Sequence, residues 1–283
     1  VTNQGVKRYL ELDNAHLDFI ASKHVDEKST ALKVRTKTSG LDIAIGARTE
    51  IFLNGKKDVV KSVPVDKSGG YIAKHFTTNL KRGDALTIDK LVSIFTSRDT
   101  GVFECLSEAV NNTVDDTVNY DNLLQSHIVA WDLLWHKFDV RLELENKEIE
   151  QYTQKTIRLY IFHLLQSSSV HSLDIDVGMP ARGWHGEGYR GHIFWDEMII
   201  FPFINFRIPR ITKTLLMYRY RRLGEAKRAA RQLGYKGAMY PWQSGSNGRE
   251  ETQQMHLNPE SGRWLPDNTY LQRHVNNAIV FNI

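Results

Sequence analysis

Cysteine is almost missing: Cys105 is the single one in 283 residues. A lone thiol forms no intramolecular disulfide and offers no zinc-ligand spacing, which points to a reducing compartment, the cytoplasm. Long apolar runs are missing too. The richest, Met198 to Phe206, falls well short of the ~20 residues a membrane helix needs and is interrupted by Pro202, so no membrane is expected as a partner. The opening Val-Thr-Asn-Gln has neither the basic region nor the apolar core of a signal peptide, and it lacks an initiator Met. Charge of one sign is not in excess, with 37 basic against 33 acidic residues and a net charge of +4. That balance gives little reason to expect nucleic acid as a partner. Internal repeats and low-complexity tracts are absent. What remains, 41% hydrophobic and 25% charged, excludes fibrous and collagen-like classes and supplies ample material for a core.

The densest basic stretch runs from Arg207 to Arg231. Its apolar residues Ile211, Leu215, Leu216, Tyr218 and Leu223 recur at helical spacing, so the charges read as the wet sides of two amphipathic helices rather than as a phosphate-binding face.

Up to about Ser97 the pattern is that of strands: Tyr9 to Leu12, Ala31 to Thr36, Leu41 to Ile45, Thr49 to Leu53 and Leu86 to Phe95. Several alternate apolar with polar residues, as a half-buried sheet requires. Turn residues fall between them at Ser39-Gly40, Asn54-Gly55, Ser68-Gly69-Gly70 and Arg82-Gly83-Asp84. The period then changes. Ser107 to Val118, Leu123 to Phe138, Lys147 to Gln166, Pro209 to Arg222 and Gly224 to Leu233 read as helices, with a last helix from about Asn268 that has no visible stop. The fold class expected is α+β multidomain: a partial β-sandwich over 1–103, a helical linker over 104–146, and a helical domain over 147–283.

Two loops gather chemistry. The first, within Val170 to Trp195 and on to Glu197, mixes acids, histidines, arginines and aromatics among glycines. A pyranose presents C–H faces to aromatic planes and hydroxyls to carboxylates and guanidinium groups, so Trp195 beside Asp196 suits a sugar clamp. Other roles stay open on composition. Trp195 with Phe194 also fits core at a helix start, and Asp196 and Glu197 also fit first-turn acids facing the helix dipole. Glu187 and Arg190 also fit a loop ion pair, and His185 with His192 lacks a third ligand for a metal. The second loop, Gly237 to Thr252, repeats the mixture with Trp242, Gln243, Arg249, Glu250 and Glu251. It fits equally a helix-connecting turn.

The run Met179-Pro-Ala-Arg-Gly-Trp-His-Gly-Glu-Gly-Tyr-Arg-Gly-His-Ile-Phe-Trp-Asp-Glu resembles the signature that opens the catalytic barrel of glycoside hydrolase family 65. The spaced block Gly237-Ala-Met-Tyr-Pro-Trp, Gly248-Arg-Glu-Glu, Asn258-Pro, Gly262-Arg-Trp and Gln272-Arg-His resembles the stretch that comes next in that barrel. The strand-rich start and the helices after it are similar to that family's sandwich and linker. The resemblance implies that the helical domain is the first part of an (α/α)6 barrel. It implies inverting cleavage of an α-linked glucose disaccharide of the trehalose, maltose or kojibiose type, by phosphorolysis or hydrolysis. No metal or organic cofactor is implied; inorganic phosphate would be a co-substrate. Trp195 and Asp196 match the pair that holds the non-reducing glucose. Arg182, Arg190, His192, Trp242 and Glu250 match motif positions expected to touch substrate or support its loops.

In the family the general acid lies well over a hundred residues beyond the Trp-Asp pair, whereas 87 residues come after Asp196 here. Glu197, Glu250 and Glu251 sit in the wrong motifs to replace it. The expectation is therefore a partial enzyme whose general acid and phosphate site lie beyond Ile283, completed by a complementing C-terminal chain or a homodimer. The alternative is a non-catalytic carbohydrate-binding or partner module.

Overall fold

A computed structural model describes residues 15–57, 60–67, 70–173, 175–181 and 188–283, with the side chains of Asp66, Lys67 and Arg190 outside the description. The expected strand Tyr9 to Leu12 lies outside the described residues. The chain divides into two compact units, Val1–Leu133 and Leu134–Ile283. That division falls between the boundaries expected at 103 and 146.

In the first unit, β1 (Leu17–His24), β2 (Ser29–Thr36), β3 (Asp42–Leu53) and β4 (Lys56–Lys57) follow one another in an antiparallel sheet, and β7 (Leu86–Thr96) closes it on the far edge of β3. A separate hairpin, β5 (Ser62–Lys67) with β6 (Tyr71–Phe76), contacts β1 and β2. The two strands expected at Leu41 to Ile45 and Thr49 to Leu53 are one continuous strand. The Gly46 between them is not a turn. It is the place where α1 (Cys105–Val114) comes down on the sheet, because a Cβ on Gly46 would stand 2.5 Å from the Ala109 carbonyl oxygen. Ala44, Cys105 and Ala109 form the buried contact, flanked by Phe95, Val102 and Leu106.

Side chains fix both ends of α1. At the start, the Glu104 carboxylate accepts from the backbone amides of Leu106 at 3.2 Å and Ser107 at 2.7 Å, and pairs with Lys33 at 2.7 Å. Past the other end, buried Arg48 donates to the carbonyls of Asp115, at 3.0 Å, and Val118. The Asp115 carbonyl also accepts from the Val118 amide at 3.1 Å, so the chain turns there instead of continuing the helix. The helix expected to reach Val118 therefore stops at Val114. On the opposite face of the sheet, Ile88, Val92 and Ile94 of β7 are exposed.

The second unit is helical, and the end of α2 (Tyr120–Phe138) enters it. It comprises α3 (Lys147–Ser167), α4 (Glu197–Asn205), α5 (Pro209–Arg221), α6 (Leu223–Gln232) and α7 (Val275–Asn282), with a small hairpin of β8 (Met255–Leu257) and β9 (Trp264–Pro266). Asn146 caps α3 by accepting from the amides of Glu148 and Ile149, and Pro209 opens α5 at a position where a missing N–H costs nothing. The core gathers Met179, Phe201, Ile204, Ile211 and Leu215. The last helix begins at Val275 rather than near Asn268, since Thr269–Leu271 forms a 3-10 turn and Gln272 is extended. A strand-rich domain followed by helices is the architecture expected. Among the described residues no helix is long and apolar enough to cross a membrane.

Gly46→Ala is expected to destabilise the chain by about 1–3 kcal/mol through overpacking against α1, read as a lowered thermal midpoint. Acid should act on the same corner. The Lys33 ammonium holds the Glu104 carboxyl at about 2 instead of 4.5, and the Arg35 guanidinium holds Asp42 at about 2 instead of 3.8. Both values are lowered by folding, so the stabilisation is fully present above the ordinary carboxylate range and is lost as pH falls toward about 2. Thermal melts from pH 5 down to pH 2 should show that loss. Glu104→Gln should flatten the slope; an unchanged slope would refute the assignment.

Candidate functional site

The two loops singled out in the sequence meet at one residue pair. Ile193 and Ser244 exchange backbone hydrogen bonds of 2.9 and 3.1 Å, and Ile193 also bridges Pro180. In an antiparallel register, the positions two beyond Ile193 and two before Ser244 fall opposite each other on one face. Those positions are Trp195 and Trp242. Their rings lie 6.3 Å apart at 17°, an offset stack. His274, just before α7, stands edge-on to both, 5.0 Å from Trp242 and 6.3 Å from Trp195. Phe194 meets Trp242 at 5.9 Å and 87°. Trp195 and Trp242 are half-buried, His274 is exposed and Phe194 is core, so the alternative of a core aromatic pair holds for Phe194 alone.

Asp196 occupies the cap position of α4, where its backbone carbonyl accepts from the amides of Ile199 and Ile200. Its side chain is half-buried and makes no capping bond to the helix. Glu197, the next residue, has the opposite environment. It is 2% exposed, and its Oε2 receives Arg219 Nε at 3.1 Å while Oε1 makes no hydrogen bond of normal geometry. Burial pushes the Glu197 carboxyl up against the pull of Arg219.

Arg219 of α5 is also 2% exposed. Its Nη2 donates to the Phe194 carbonyl at 3.0 Å and its Nη1 reaches Ser244 Oγ at 3.5 Å. The Tyr218 hydroxyl donates to the Gly245 carbonyl and accepts from the same Ser244 hydroxyl at 2.9 Å, and burial pushes that phenol up. Arg222 makes a fork to both Asp176 oxygens, at 2.9 and 3.0 Å, and donates to the Ser246 carbonyl at 2.9 Å. Burial pulls the Asp176 carboxyl upward, but the arginines outweigh it and hold it low. The basic stretch is thus not all wet surface. Arg219 and Arg222 are buried, and they organise the site. The recoverable signal was position: Arg222 lies four residues after Tyr218, on the apolar stripe itself.

Glu250 is placed at the loop's own backbone. It accepts from the amides of Trp242 at 2.8 Å, Gln243 at 3.2 Å and Thr252 at 3.2 Å, and from the Thr252 hydroxyl at 2.5 Å. In this structure it supports the loop that carries Trp242. Glu251 Oε1 receives the Asn247 amide at 3.4 Å. Gly248 has φ +74°, and any Cβ there would strike the Arg222 side chain at 2.8 Å. His192 Nδ1 lies 2.6 Å from the Tyr189 carbonyl, with its ring edge facing Gly245. Arg182, His185 and Glu187 lie outside the described residues, as does the side chain of Arg190. Among the described residues no three His, Cys, Asp or Glu side chains gather to hold a metal ion.

Comparison with known proteins gives one family for both units. The profile of the glycosyl hydrolase family 65 N-terminal domain matches residues 1–134, and that of the family's central catalytic domain matches residues 158–283. Glycosyl hydrolases from two strains of Mycobacterium tuberculosis are each 40% identical over the whole chain, which covers 21% of their length. Trehalose 6-phosphate phosphorylase of Lactococcus lactis is 33% identical over the whole chain, which covers 35% of it. Kojibiose phosphorylase of Halothermothrix orenii is 32% identical over 89% of the chain, corresponding to 31% of its own length. A solved structure from the human microbiome, described provisionally as a kojibiose phosphorylase, shares the fold. Its TM-score is 0.64 at 22% identity, over 84% of this chain and 30% of its own. The chain thus spans between about a fifth and about a third of the curated relatives named here.

Removing the Glu250 carboxylate leaves three loop amides without their acceptor. Glu250→Ala should speed hydrogen exchange at Trp242, Gln243 and Thr252 by about tenfold or more, with the core helices unaffected. Unchanged exchange at those amides would rule out the tethering role.

Proposed function

The chain belongs to glycosyl hydrolase family 65, and from that premise we propose that its aromatic wall and Asp196 hold the glucosyl ring of an α-linked disaccharide. The observation that carries the reading is the convergence of Trp195 and Trp242, two half-buried indoles from separate loops, at the N-terminus of α4 where Asp196 sits. Offset indoles offer a flat apolar surface to the C–H face of a pyranose, and a neighbouring carboxylate accepts from its hydroxyls.

The reaction proposed for the whole protein is phosphorolysis of a glucose disaccharide, with inversion at the anomeric carbon. In such a reaction a carboxylic acid protonates the leaving oxygen while inorganic phosphate attacks the opposite face of the ring. The names of the relatives favour phosphate over water as the nucleophile. They include phosphorylases for trehalose 6-phosphate, kojibiose, nigerose and trehalose. Glu197, Glu250 and Glu251 are poor candidates for the acid: one is sealed against Arg219, one is tied to loop amides, and one is hydrogen-bonded to Asn247. The proposed acid and phosphate site therefore come from further polypeptide, in the same protein or in a second chain. The proposed place of work is the cytoplasm, where phosphate and reducing conditions coexist.

The experiment is an assay of the whole protein on trehalose, maltose and kojibiose, with and without inorganic phosphate. Phosphate-dependent release of glucose 1-phosphate is expected. Free glucose produced equally in both conditions would replace phosphorolysis with hydrolysis, and no turnover with intact saccharide binding would favour a binding module. Asp196→Ala should reduce saccharide affinity about 10–100-fold, the worth of hydrogen bonds to a charged group. Unchanged titration heat in that variant would remove Asp196 from the site.

A further inference from the structure

We propose that Arg219, clamped by Glu197, is a positioning residue that sets the spacing of the Trp195–Trp242 wall by holding both sugar loops from beneath. Its consequence for saccharide affinity rests on the carbohydrate reading above; its consequence for the indoles does not.

The guanidinium of Arg219 sends its donors in three directions. Nε goes to Glu197, the first residue of α4. Nη2 goes to the carbonyl of Phe194, which belongs to the peptide plane joining Phe194 to Trp195. Nη1 reaches Ser244 Oγ, two residues after Trp242. One planar fork thus binds the backbone on which the first indole stands and a side chain two residues along the chain from the second. A lysine carries its three donors on one nitrogen and cannot span the three separated acceptors that a planar guanidinium reaches.

The surroundings make this fork rigid. Tyr218 and Tyr240 present their rings to Arg219 with centroids at 5.5 and 6.0 Å. The Tyr240 hydroxyl donates to the Arg219 carbonyl at 3.1 Å, so the residue is held from its backbone as well. Ser244 is fully buried and shared with the Tyr218 hydroxyl, which closes a loop of contacts through α5.

The Glu197 partner also argues for geometry over stability. Its buried Oε1 makes no hydrogen bond of normal geometry, and the Met179 backbone and Arg219 together do not offset the desolvation of the carboxyl. A well-packed apolar pair of the same volume would serve the fold as well or better. What such a pair could not do is aim N–H groups at Phe194 and Ser244.

The test uses the full chain and two independent readouts. Near-ultraviolet circular dichroism reports the coupled indoles, assigned by the loss of signal in Trp242→Phe, and calorimetric titration with glucose and maltose reports the site. Far-ultraviolet spectra and thermal midpoints control for folding. Arg219→Lys is expected to stay folded, to lose most of the indole couplet, and to bind saccharide about tenfold more weakly. A folded Arg219→Lys with an unchanged couplet overturns the proposal, whatever its affinity. If Arg219→Lys does not fold, Ser244→Ala decides on the same spectra, since it removes a single strut: a diminished couplet upholds positioning and an intact one refutes it. A wild-type chain that binds neither sugar defeats the carbohydrate reading, while a diminished couplet in Arg219→Lys still upholds the positioning of the indoles.

Discussion

A guanidinium taken out of water is destabilised by every N–H that is left without an acceptor. The second unit is built around that need for acceptors at Arg219. Removing either member of a buried ion pair costs about 3–5 kcal/mol, because the survivor is left charged and unpaired. The chain meets the requirement with atoms from three places: Glu197 at the start of α4, Phe194 in the first loop and Ser244 in the second. The two loops therefore cannot shift independently without exposing a desolvation penalty. Arg222 applies the same constraint at the outer edge, forked onto Asp176 and bonded to Ser246. Gly248 is needed there because the Arg222 side chain fills the space a Cβ would take.

The first unit uses the same device for a different end. Arg48 projects from β3 and is buried beneath the turn after α1, where it satisfies the carbonyls of Asp115 and Val118. Its Nε finds no partner, so the balance there also favours geometry over complete satisfaction. Glu104 at the other end of α1 answers the opposite need, giving its carboxylate to unpaired amides and its charge to Lys33. Between these two ties, Gly46 lets the helix backbone approach the strand. Local hydrogen-bond needs and one missing Cβ together fix where the helix lies on the sheet.

Much of this was legible from periodicity. A period of two marked β2, β3 and β7, and helical spacing marked α2, α3 and α5, because burial of one face imposes those repeats on any sequence. The gathering of aromatics, acids and glycines also marked both site loops. Arg219 and Arg222 read as the wet sides of helices because they were judged by residue type rather than by their place on a buried stripe, and β3 read as two strands because its pattern does not show the helix that packs at Gly46. Ile211, Leu215, Tyr218 and Arg222 run at spacings of four, three and four, which is one helical face, and the arginine belongs to it. Glu250 could not be sorted from sequence at all. A carboxylate that binds sugar hydroxyls and one that binds loop amides need the same chemistry, and only the Trp242, Gln243 and Thr252 amides in space tell them apart.

That ambiguity bears on how a site with several acids assigns them roles. Asp196 and Glu197 are neighbours in sequence, yet the turn of the chain into α4 sends one to a half-buried position at the helix start and the other into the protein beside Arg219. A carboxyl pushed up by full burial and held by a guanidinium is poor at greeting a ligand and good at fixing a frame. A carboxylate at the mouth of a helix, next to an indole whose backbone is anchored by that frame, is suited to the reverse task. The division follows from burial alone. It explains why adjacent acids of nearly identical chemistry can serve as support and as contact, and why the frame had to be built from an arginine rather than from apolar packing. Only a residue with several fixed donors can hold Trp195 from one side and the Trp242 loop from the other.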